Sequence, residues 1–424
     1  MEPTFSSTHD LIVAGGGPAG VAAAIAAARM GADVVLVEQY GFLGGMATAG
    51  FVFPFMTHWA GDRPIIGGIW GEMIARLQAY PYGYKASTHF GLRHFCFDPE
   101  GLKQIWLEMC LEAGVTLQLH TVISDALMAG DRIAGIVTHS KSGREEVRGR
   151  IVIDCTGDGD VAARAGAPCE IGRAADGLVM PMSLHFRLGG VEMARMPARE
   201  EINALYRRDK DAGLLTNPRE NVLWFDTPHP DQVHFNTTRL LRALGTSRDD
   251  LTAAEIEGRR QMMEMVDWLI RTVPGFERSY LLMAAPQVGV RETRRILGEY
   301  VVTEEELFNE TIYPDAIALS AYPVDIHNPA GGGTVMRHLP WGQYYAIPYR
   351  ALVPREIEGL LVAGRPISTT HEAHSATRIQ AVANATGQAA GAAAALCLRH
   401  DIVPRQVDTD ELRAELRGQG VILE

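Results

Sequence analysis

Three short segments concentrate side chains able to move protons or hold anions. In Thr370-His371-Glu372-Ala373-His374-Ser375-Ala376-Thr377-Arg378, His371 or His374 could accept a proton near neutral pH, and Arg378 could grip a carboxylate. The same histidines, with Glu372, could equally cap a helix. In Val290-Arg291-Glu292-Thr293-Arg294-Arg295-Ile296-Leu297-Gly298, Arg291 and Arg295 could clamp an anion, with ion pairs to Glu292 or Glu299 as the alternative. In Tyr322-Pro323-Val324-Asp325-Ile326-His327-Asn328, an acid stands two residues before a histidine. On a strand both face one side, so Asp325 could orient His327 as a general base, or His327 is structural. His371, His327, Arg378 and Arg291 are therefore the catalytic candidates.

The electron chemistry needs another carrier. The 5 cysteines, at 96, 110, 155, 169 and 397, contain no CxxC pair and read as buried apolar side chains rather than a disulfide framework or dithiol centre. No HExxH or Cys/His cluster is present, and His371 with His374 makes too few ligands, so no metal is expected.

The elements that would position a carrier begin at the amino terminus. Asp10–Ala14 is a short apolar run readable as a buried strand, and it enters Gly15-Gly16-Gly17-Pro18-Ala19-Gly20, a match to G-x-G-x-x-G. An Ala-rich helix over Val21–Met30 stops at Gly31, and a second strand over Ala32–Val37 closes on Glu38. Gly15 permits the tight turn and Gly17 clears the approach to a pyrophosphate. Gly20 lets helix and strand pack closely, and the N–H groups at the helix start, with Pro18 and Ala19, face the phosphates. Glu38 is placed to accept from a ribose diol and disfavours a 2′-phosphate. A glycine turn alone is a weak signal. The strand, helix, second strand and terminal acid in order make nucleotide binding the expectation.

A second glycine-rich loop, Gly41-Phe42-Leu43-Gly44-Gly45-Met46-Ala47-Thr48-Ala49-Gly50, follows the acid. It suits a cofactor that continues beyond the pyrophosphate. With Arg150–Asp160 as a strand ending in Thr156-Gly157, and Gly359–Arg365 as a late strand ending in glycine before a helix over Ser375–Leu398, the chain resembles flavoproteins of the glutathione-reductase-type superfamily. Strands over Val115–Val122 and Ile133–Thr138 resemble that superfamily's meander. The blocks Val290–Gly298, Ile347–Arg350 and Ala363–Ser368 resemble bacterial FAD-dependent oxidoreductases, more distantly similar to succinate dehydrogenase and fumarate reductase flavoproteins and aspartate oxidases. The resemblance implies FAD. It implies cofactor contacts from Gly15, Gly17, Pro18, Ala19, Gly20, Glu38, Gln39, Gly44, Gly45, Met46, Val122, Thr156, Gly157, Gly364, Arg365 and Ile379. One departure is Arg365, which stands where the superfamily often places an acid for the ribityl chain. His58, His89 or His94 could serve for covalent flavin attachment, though nothing in their spacing demands it.

The implied fold is α/β: a Rossmann-like FAD-binding domain with a parallel sheet, helices and a three-stranded meander, carrying an inserted α+β substrate domain. The expected divisions are residues 8–50, 98–173 and 341–400 for the FAD domain, 51–97 for a lid or wall, 174–340 for the substrate domain and 401–424 for an extension. Gly331–Gly333, outside any strand–helix context, reads as a flexible loop, so no second dinucleotide domain is expected. A helix N-terminus at the flavin would stabilise negative charge on its reduced ring.

A chain of 424 residues, 47% hydrophobic and 21% charged, is that of an ordinary folded protein, and a net charge of −12 disfavours nucleic acid and anionic membranes. The polar opening Met1–Thr8 has no secretory pattern, and Val21–Ala28 and Ala389–Leu398 are too short to span a bilayer, so a cytoplasmic location is expected. The leading expectation is a dehydrogenase or oxidase taking a hydride from a C–N or C–O carbon of a small polar metabolite. Reduction of an activated C=C bond, a flavin monooxygenase and, last, a non-enzymatic flavin sensor are the alternatives. Substrate identity, electron acceptor, direction, covalent attachment and a homo-oligomeric state stay open.

Overall fold

The computed structural model describes residues 4–89 and 92–424. Strand β1 (Thr4–Ala14) leads through the glycine turn into helix α1 (Pro18–Arg29) and strand β2 (Val34–Val37). Strand β1 is longer than the sequence suggests because its polar first half pairs with a distant extension, from Thr4 opposite Glu145 to His9 opposite Gly149. Only Leu11–Ala14, flanked on both sides by strands and buried throughout, has the apolar run that marks a central parallel strand. Helix α1 starts at Pro18, whose missing N–H costs nothing in a first turn, and Gly31 beyond its end has φ +93°.

After β2 the chain builds a wall. Phe53, Phe55, Phe95 and Phe97 are almost wholly buried, with Phe55 and Phe97 stacked 4.0 Å apart, and all belong to the main core. Phe90 and Gly91, inside this stretch, lie outside the described residues.

The expected strand over Val115–Val122 is two strands. Strand β3 (Thr116–Gln118) extends the parallel sheet beside β2, and His120, at φ +53°, precedes β4 (Val122–Ala129) in the meander. The meander continues through β5 (Arg132–Ser140) into β6 (Gly143–Asp154). The first half of β6 pairs antiparallel with β5. The last residues of β6 pair with the late strand, Leu360–Val362, in parallel. The 7-stranded sheet runs β3-β2-β1-β6-β5-β4, with the late strand on the far side of the end of β6.

The insertion is a 4-stranded antiparallel sheet of β7 (Phe186–Gly189), β8 (Trp224–Asp226), β9 (Val233–Phe235) and β10 (Tyr280–Ala284), in the order β8-β9-β7-β10. Helix α2 (Arg248–Thr272) packs on it and begins five residues before the expected Ala253, where Ser247 accepts from the Asp250 N–H. Phe186, Leu188, Val233 and Phe235 share a second core with Met265 and Leu269 of α2. A hairpin of β11 (Val324–His327) and β12 (Thr334–Arg337) returns the chain to the first domain. The glycine loop between its strands is tied down, because Arg239 Nη1 donates to the Gly331 and Gly333 carbonyls at 2.7 and 3.0 Å.

The single late helix expected over Ser375–Leu398 is likewise two, α3 (His371–Thr377) and α4 (Gln380–His400), with extended Ile379 capping the second. No Pro or Gly marks that break. Helix α4 is long and apolar enough to cross a membrane, contrary to the length expected from Ala389–Leu398, but 94% of that window is buried inside the protein. It is a core helix. A Cβ on Gly387 or Gly391 would sit 2.0 or 2.1 Å from the carbonyls of Ala19 or Ala23 on α1, so the two backbones touch. Alanine richness in both helices follows from that closeness. Cys169 is exposed, unlike the other four cysteines, which are buried as expected.

Candidate functional site

One cavity of about 870 Å3 runs from the glycine turn of the first domain to the face of the insertion. Its first end is made of backbone. Gly15 has φ +99°, and a side chain there would strike the Cys155 carbonyl at 2.6 Å. Gly17 caps α1, and a Cβ there would meet nothing nearer than Gly45 at 3.8 Å, so open space lies above it. Gly44, in left-handed backbone, donates its N–H to the Gly16 carbonyl at 2.8 Å, while Gly45 lies directly against Gly17. The two glycine loops thus form one floor. Gly15, Gly17, Pro18, Ala19, Gly45 and Met46 line the cavity. Gly20 and Gly44 do not, because they pack beneath it and hold the floor in shape.

Glu38 faces the cavity with both carboxylate oxygens already accepting backbone N–H groups, from Gly16 at 2.7 Å and Tyr40 at 2.9 Å. Burial raises its pKa against those bonds. Each oxygen keeps a second lone pair for a ribose hydroxyl. Gln39 and Val122 lie beside it, and Thr156, Gly157, Gly364, Arg365 and Ile379 line the middle of the cavity. The Thr156 hydroxyl is engaged by Asp154 at 2.7 Å and by the Asp160 N–H. Asp154 was not singled out from sequence. Fully buried, it also accepts from Ala162 N–H, and burial pushes its carboxyl up to about 6. Arg365 holds the same turn from the other side, donating to the Gly157 carbonyl at 2.8 Å and the Val290 carbonyl at 2.7 Å and pairing with Asp158. It stands as a brace where the superfamily often places an acid. A backbone cradle with open space above Gly17, continuous with a long cavity, fits a dinucleotide-sized cofactor such as FAD.

The far end is built from charged side chains. His327, Arg291 and Arg378 line it, together with Arg219, His185, Asn236 and Tyr322. Arg291 is enclosed, donating to the Pro181 carbonyl at 2.6 Å and weakly to Asn236 Oδ1 at 3.5 Å. Burial pushes its guanidinium down to about 9, and Arg378 and Arg219 add repulsion. Arg219 is pushed down to about 10 in the same way and donates to Asn221 Oδ1. Among the described residues no ion pair joins Arg291 or Arg219 to a carboxylate. Asp325 instead receives Arg378 at 3.3 Å and the Tyr322 hydroxyl at 3.0 Å. Burial works against the Asp325 charge, but these neighbours and His327 hold its carboxyl well below the usual range. His327 Nε2 lies 3.5 Å from Asp325 Oδ2, and its Nδ1 lies 3.3 Å from Thr334 Oγ1. Burial pushes His327 down to about 3, Asp325 opposing and Arg291 adding, so the ring is neutral at physiological pH.

His371, the fourth catalytic candidate, stands behind the cavity wall rather than on it. Its Nδ1 is 2.8 Å from Glu292 Oε1, which also receives Arg295 at 2.5 Å. Arg295 donates further to the Thr369 and Gly172 carbonyls, so it is part of this buried ion-pair knot and not of an anion clamp. His374 is bonded to the Arg291 carbonyl, and Thr370, not Glu372 or a histidine, caps α3. Glu299 pairs with Arg405. His58 and His94 are buried away from the cavity lining, and the side chain of His89 lies outside the described residues. Among the described residues no cluster of three metal-ligating side chains occurs.

Arg219 and His185 were missed from sequence. Arg219 sits in an irregular segment with no periodic signal. His185 carries one: in Met182-Ser183-Leu184-His185-Phe186-Arg187-Leu188 polar and apolar residues alternate, which puts Ser183, His185 and Arg187 on one face.

A sequence profile for the family described as FAD dependent oxidoreductase matches residues 10–416. Digeranylgeranylglycerophospholipid reductase 1 of Methanopyrus kandleri is 33% identical over 153 residues, 35% of this chain and 39% of that protein. NADH:acrylate oxidoreductase of Vibrio harveyi is 39% identical over 67 residues, 15% of this chain and 7% of that protein. The chain thus spans well under half the length of these curated relatives. Among solved structures, a geranylgeranyl bacteriochlorophyll reductase-like protein from Thermoplasma acidophilum superposes with TM-score 0.51 at 11% identity, covering 98% of this chain and 83% of that one. The flavin-dependent brominase Bmp2 superposes with TM-score 0.50 at 12% identity, covering 97% and 83%. At these identities the likeness is one of fold.

Proposed function

The chain belongs to the FAD dependent oxidoreductase family and is an enzyme that uses FAD, and from that premise we propose that it takes a hydride from a C–N or C–O carbon of a small metabolite bearing a carboxylate or similar anion. The observation that carries this reading is the enclosed Arg291 guanidinium beside Arg219, both on the cavity wall and, among the described residues, neither in an ion pair with a carboxylate. A buried cation without a counter-ion is strongly disfavoured. A substrate anion supplies the missing charge.

Bound FAD supplies the two-electron sink at its ring. Arg291 and Arg219 hold the anion and so decide which carbon is presented. His327 takes the proton released from the substrate O–H or N–H. Asp325 has no hydrogen to donate, so His327 carries its own on Nε2 and offers a lone pair at Nδ1, 3.3 Å from the Thr334 hydroxyl. The Asp325 carboxylate then stabilises the imidazolium that forms. Arg378, bound to Asp325, holds that carboxylate in place.

A second reading, saturation of an activated C=C bond, has one observation in its favour: the Arg291 proton is loosened to about 9 beside the same anion site. The names of the curated relatives, reductases and an acrylate oxidoreductase, point the same way.

The test is anaerobic mixing of the holoenzyme with 2-hydroxy and 2-amino acids and with their amides and esters. Loss of oxidised-flavin absorbance with the acids alone is expected. Equal bleaching by the uncharged forms would remove the role given to Arg291 and Arg219. Re-oxidation of chemically reduced enzyme by an α,β-unsaturated acid, without bleaching by any saturated acid, would select the second reading. His327→Gln lowers the rate constant of flavin reduction by roughly 10²–10⁴-fold while leaving anion binding within a few fold.

A further inference from the structure

The inner face of the insertion sheet carries a buried polar line that the proposed chemistry leaves unused. Arg187 on β7 stands directly opposite His234 on β9, and Phe186 opposite Phe235, so successive residues alternate between two faces. The phenylalanines enter the second core. Arg187 and His234, with His185 one step along the same face, turn toward the aromatic wall, where Phe53 lies 4.5 Å from the His234 ring and beneath the Arg187 guanidinium. All three polar side chains are buried. Arg187 Nε donates to His234 Nδ1 at 3.3 Å, and His234 Nε2 lies 3.0 Å from His185 Nδ1. His185 lines the cavity.

Hydrogen-bonding capacity orders this line in one direction. A guanidinium has donors only, so His234 Nδ1 must be its lone-pair nitrogen and His234 Nε2 must carry the hydrogen. That hydrogen points at His185 Nδ1, which must therefore accept. The hydrogen of His185 is left on Nε2, where the Phe51 backbone carbonyl is its acceptor within the protein and an oxygen in the cavity must share it. We propose that His185 is a neutral N–H donor to an oxygen of the substrate or of the flavin ring, and that Arg187 is a positioning residue that sets this tautomer through His234. The inference rests on the flavin and substrate occupying this cavity. It also divides the labour there: His185 cannot be a base, because its one acceptor nitrogen is taken, and the base role stays with His327. A neutral donor polarises a carbonyl or steadies a developing oxyanion without adding a third charge beside Arg291 and Arg219.

The surroundings keep the pair neutral. Burial drives both imidazoles well below their ordinary pKa. Arg291 and Arg219 add repulsion at His185, His185 and Arg187 add it at His234, and only the Phe51 carbonyl at His185 pulls the other way. Arg187 is anchored behind the line by the Phe97 carbonyl at 3.2 Å, with Asp98 4.0 Å away.

The experiment is histidine-selective ¹³C,¹⁵N NMR of the FAD-loaded protein, with His185→Gln and His234→Gln used to assign the two rings. Both are expected as Nε2–H tautomers that remain neutral down to pH 5. In Arg187→Met the His234 tautomer is released and at least one ring becomes Nδ1–H or titrates between pH 5 and 7, while Arg187→Lys, which keeps a donor, restores the original pattern. Sulfite, a small anion that adds to oxidised flavin, supplies the functional readout. His185→Gln, whose amide N–H2 reaches the Nε2 position, should stay within about threefold of the parent dissociation constant, whereas His185→Asn should weaken the adduct at least tenfold. An Nδ1–H tautomer at His185 in the parent protein, or identical spectra in parent and Arg187→Met, would overturn the proposal. So would equal sulfite affinity in the Gln and Asn variants. A protein that binds no FAD but shows the two Nε2–H rings would instead count against the functional reading alone.

Discussion

The two ends of the cavity are made differently. The end at Gly15, Gly17, Gly44 and Gly45 is backbone against backbone, with one carboxylate, Glu38, stitching the loops together. The end at Arg291, Arg219, His327 and Asp325 is a set of buried polar side chains, three of them charged. The first gains its shape by omitting side chains, and at Gly15, Gly44 and Gly45 an added Cβ would clash. On the proposed reading the second holds electrostatic energy in reserve, with Arg291 and Arg219 placed for a ligand rather than for the stability of the chain. Conformational constraint governs one end and unbalanced charge the other.

That contrast breaks first at the glycines. In Gly20→Ala the new Cβ would lie 1.8 Å from the Gly15 carbonyl, so the turn must open; we expect complete loss of bound flavin together with a lower thermal midpoint. In Gly17→Ala the Cβ enters space meant for the cofactor, and flavin content falls while the midpoint of the cofactor-free protein is unchanged. Absorbance ratios and calorimetry on both variants separate shape from occupancy. A Gly17→Ala protein that retains full flavin would show that the phosphates do not pass over this residue.

At the other end the signs reverse. Arg291→Met should weaken anion binding by roughly 30–5000-fold, the effect of about 2–5 kcal/mol expected for removing one buried charge partner. Its unfolding temperature should be no lower than that of the parent, because a buried charge outside any direct ion pair, with Asp325 attracting it only at a distance, is gone. A clearly lower unfolding temperature would make Arg291 a structural residue.

The smallest effect is on pH dependence. His185, His234, His327 and His374 are held neutral by burial, their pKa values depressed below the unfolded 6.5. The unfolded chain therefore binds more protons as pH falls below 6.5, and folding stability declines by at most about 1.4 kcal/mol per pH unit per histidine. Asp154 and Glu38, raised by burial, act in the opposite sense, being more easily protonated when folded. With His58 and His94 depressed likewise, six imidazoles against two carboxyls leave a net loss, to be read as a falling urea midpoint from pH 7 to 5. A flat midpoint would mean that the far end is hydrated and its histidines titrate freely.

Local sequence carried the cofactor end because each requirement there falls on one residue and its near neighbours. Gly15 must take a positive φ, Gly20 must lie on the turn before it, and Glu38 must close the next strand, all within one βαβ unit. The alternation over Ser183, His185 and Arg187 was also local and was available to a stricter reading. The break between α3 and α4 was not, since nothing at Arg378-Ile379 forbids a continuous helix.

The far end was decided by tertiary structure. His371 and His327 look equally suited to accept a proton from their sequence surroundings. Packing alone turned His371 onto Glu292 and Arg295 and left His327 on the cavity wall. Likewise Arg295 found a carboxylate, whereas Arg291, four residues earlier, pairs with none among the described residues. Whether a charge is paired depends on residues far along the chain that arrive beside it only in the folded structure. A sequence can therefore prescribe where a backbone must bend, but the balance of buried charge belongs to the folded whole.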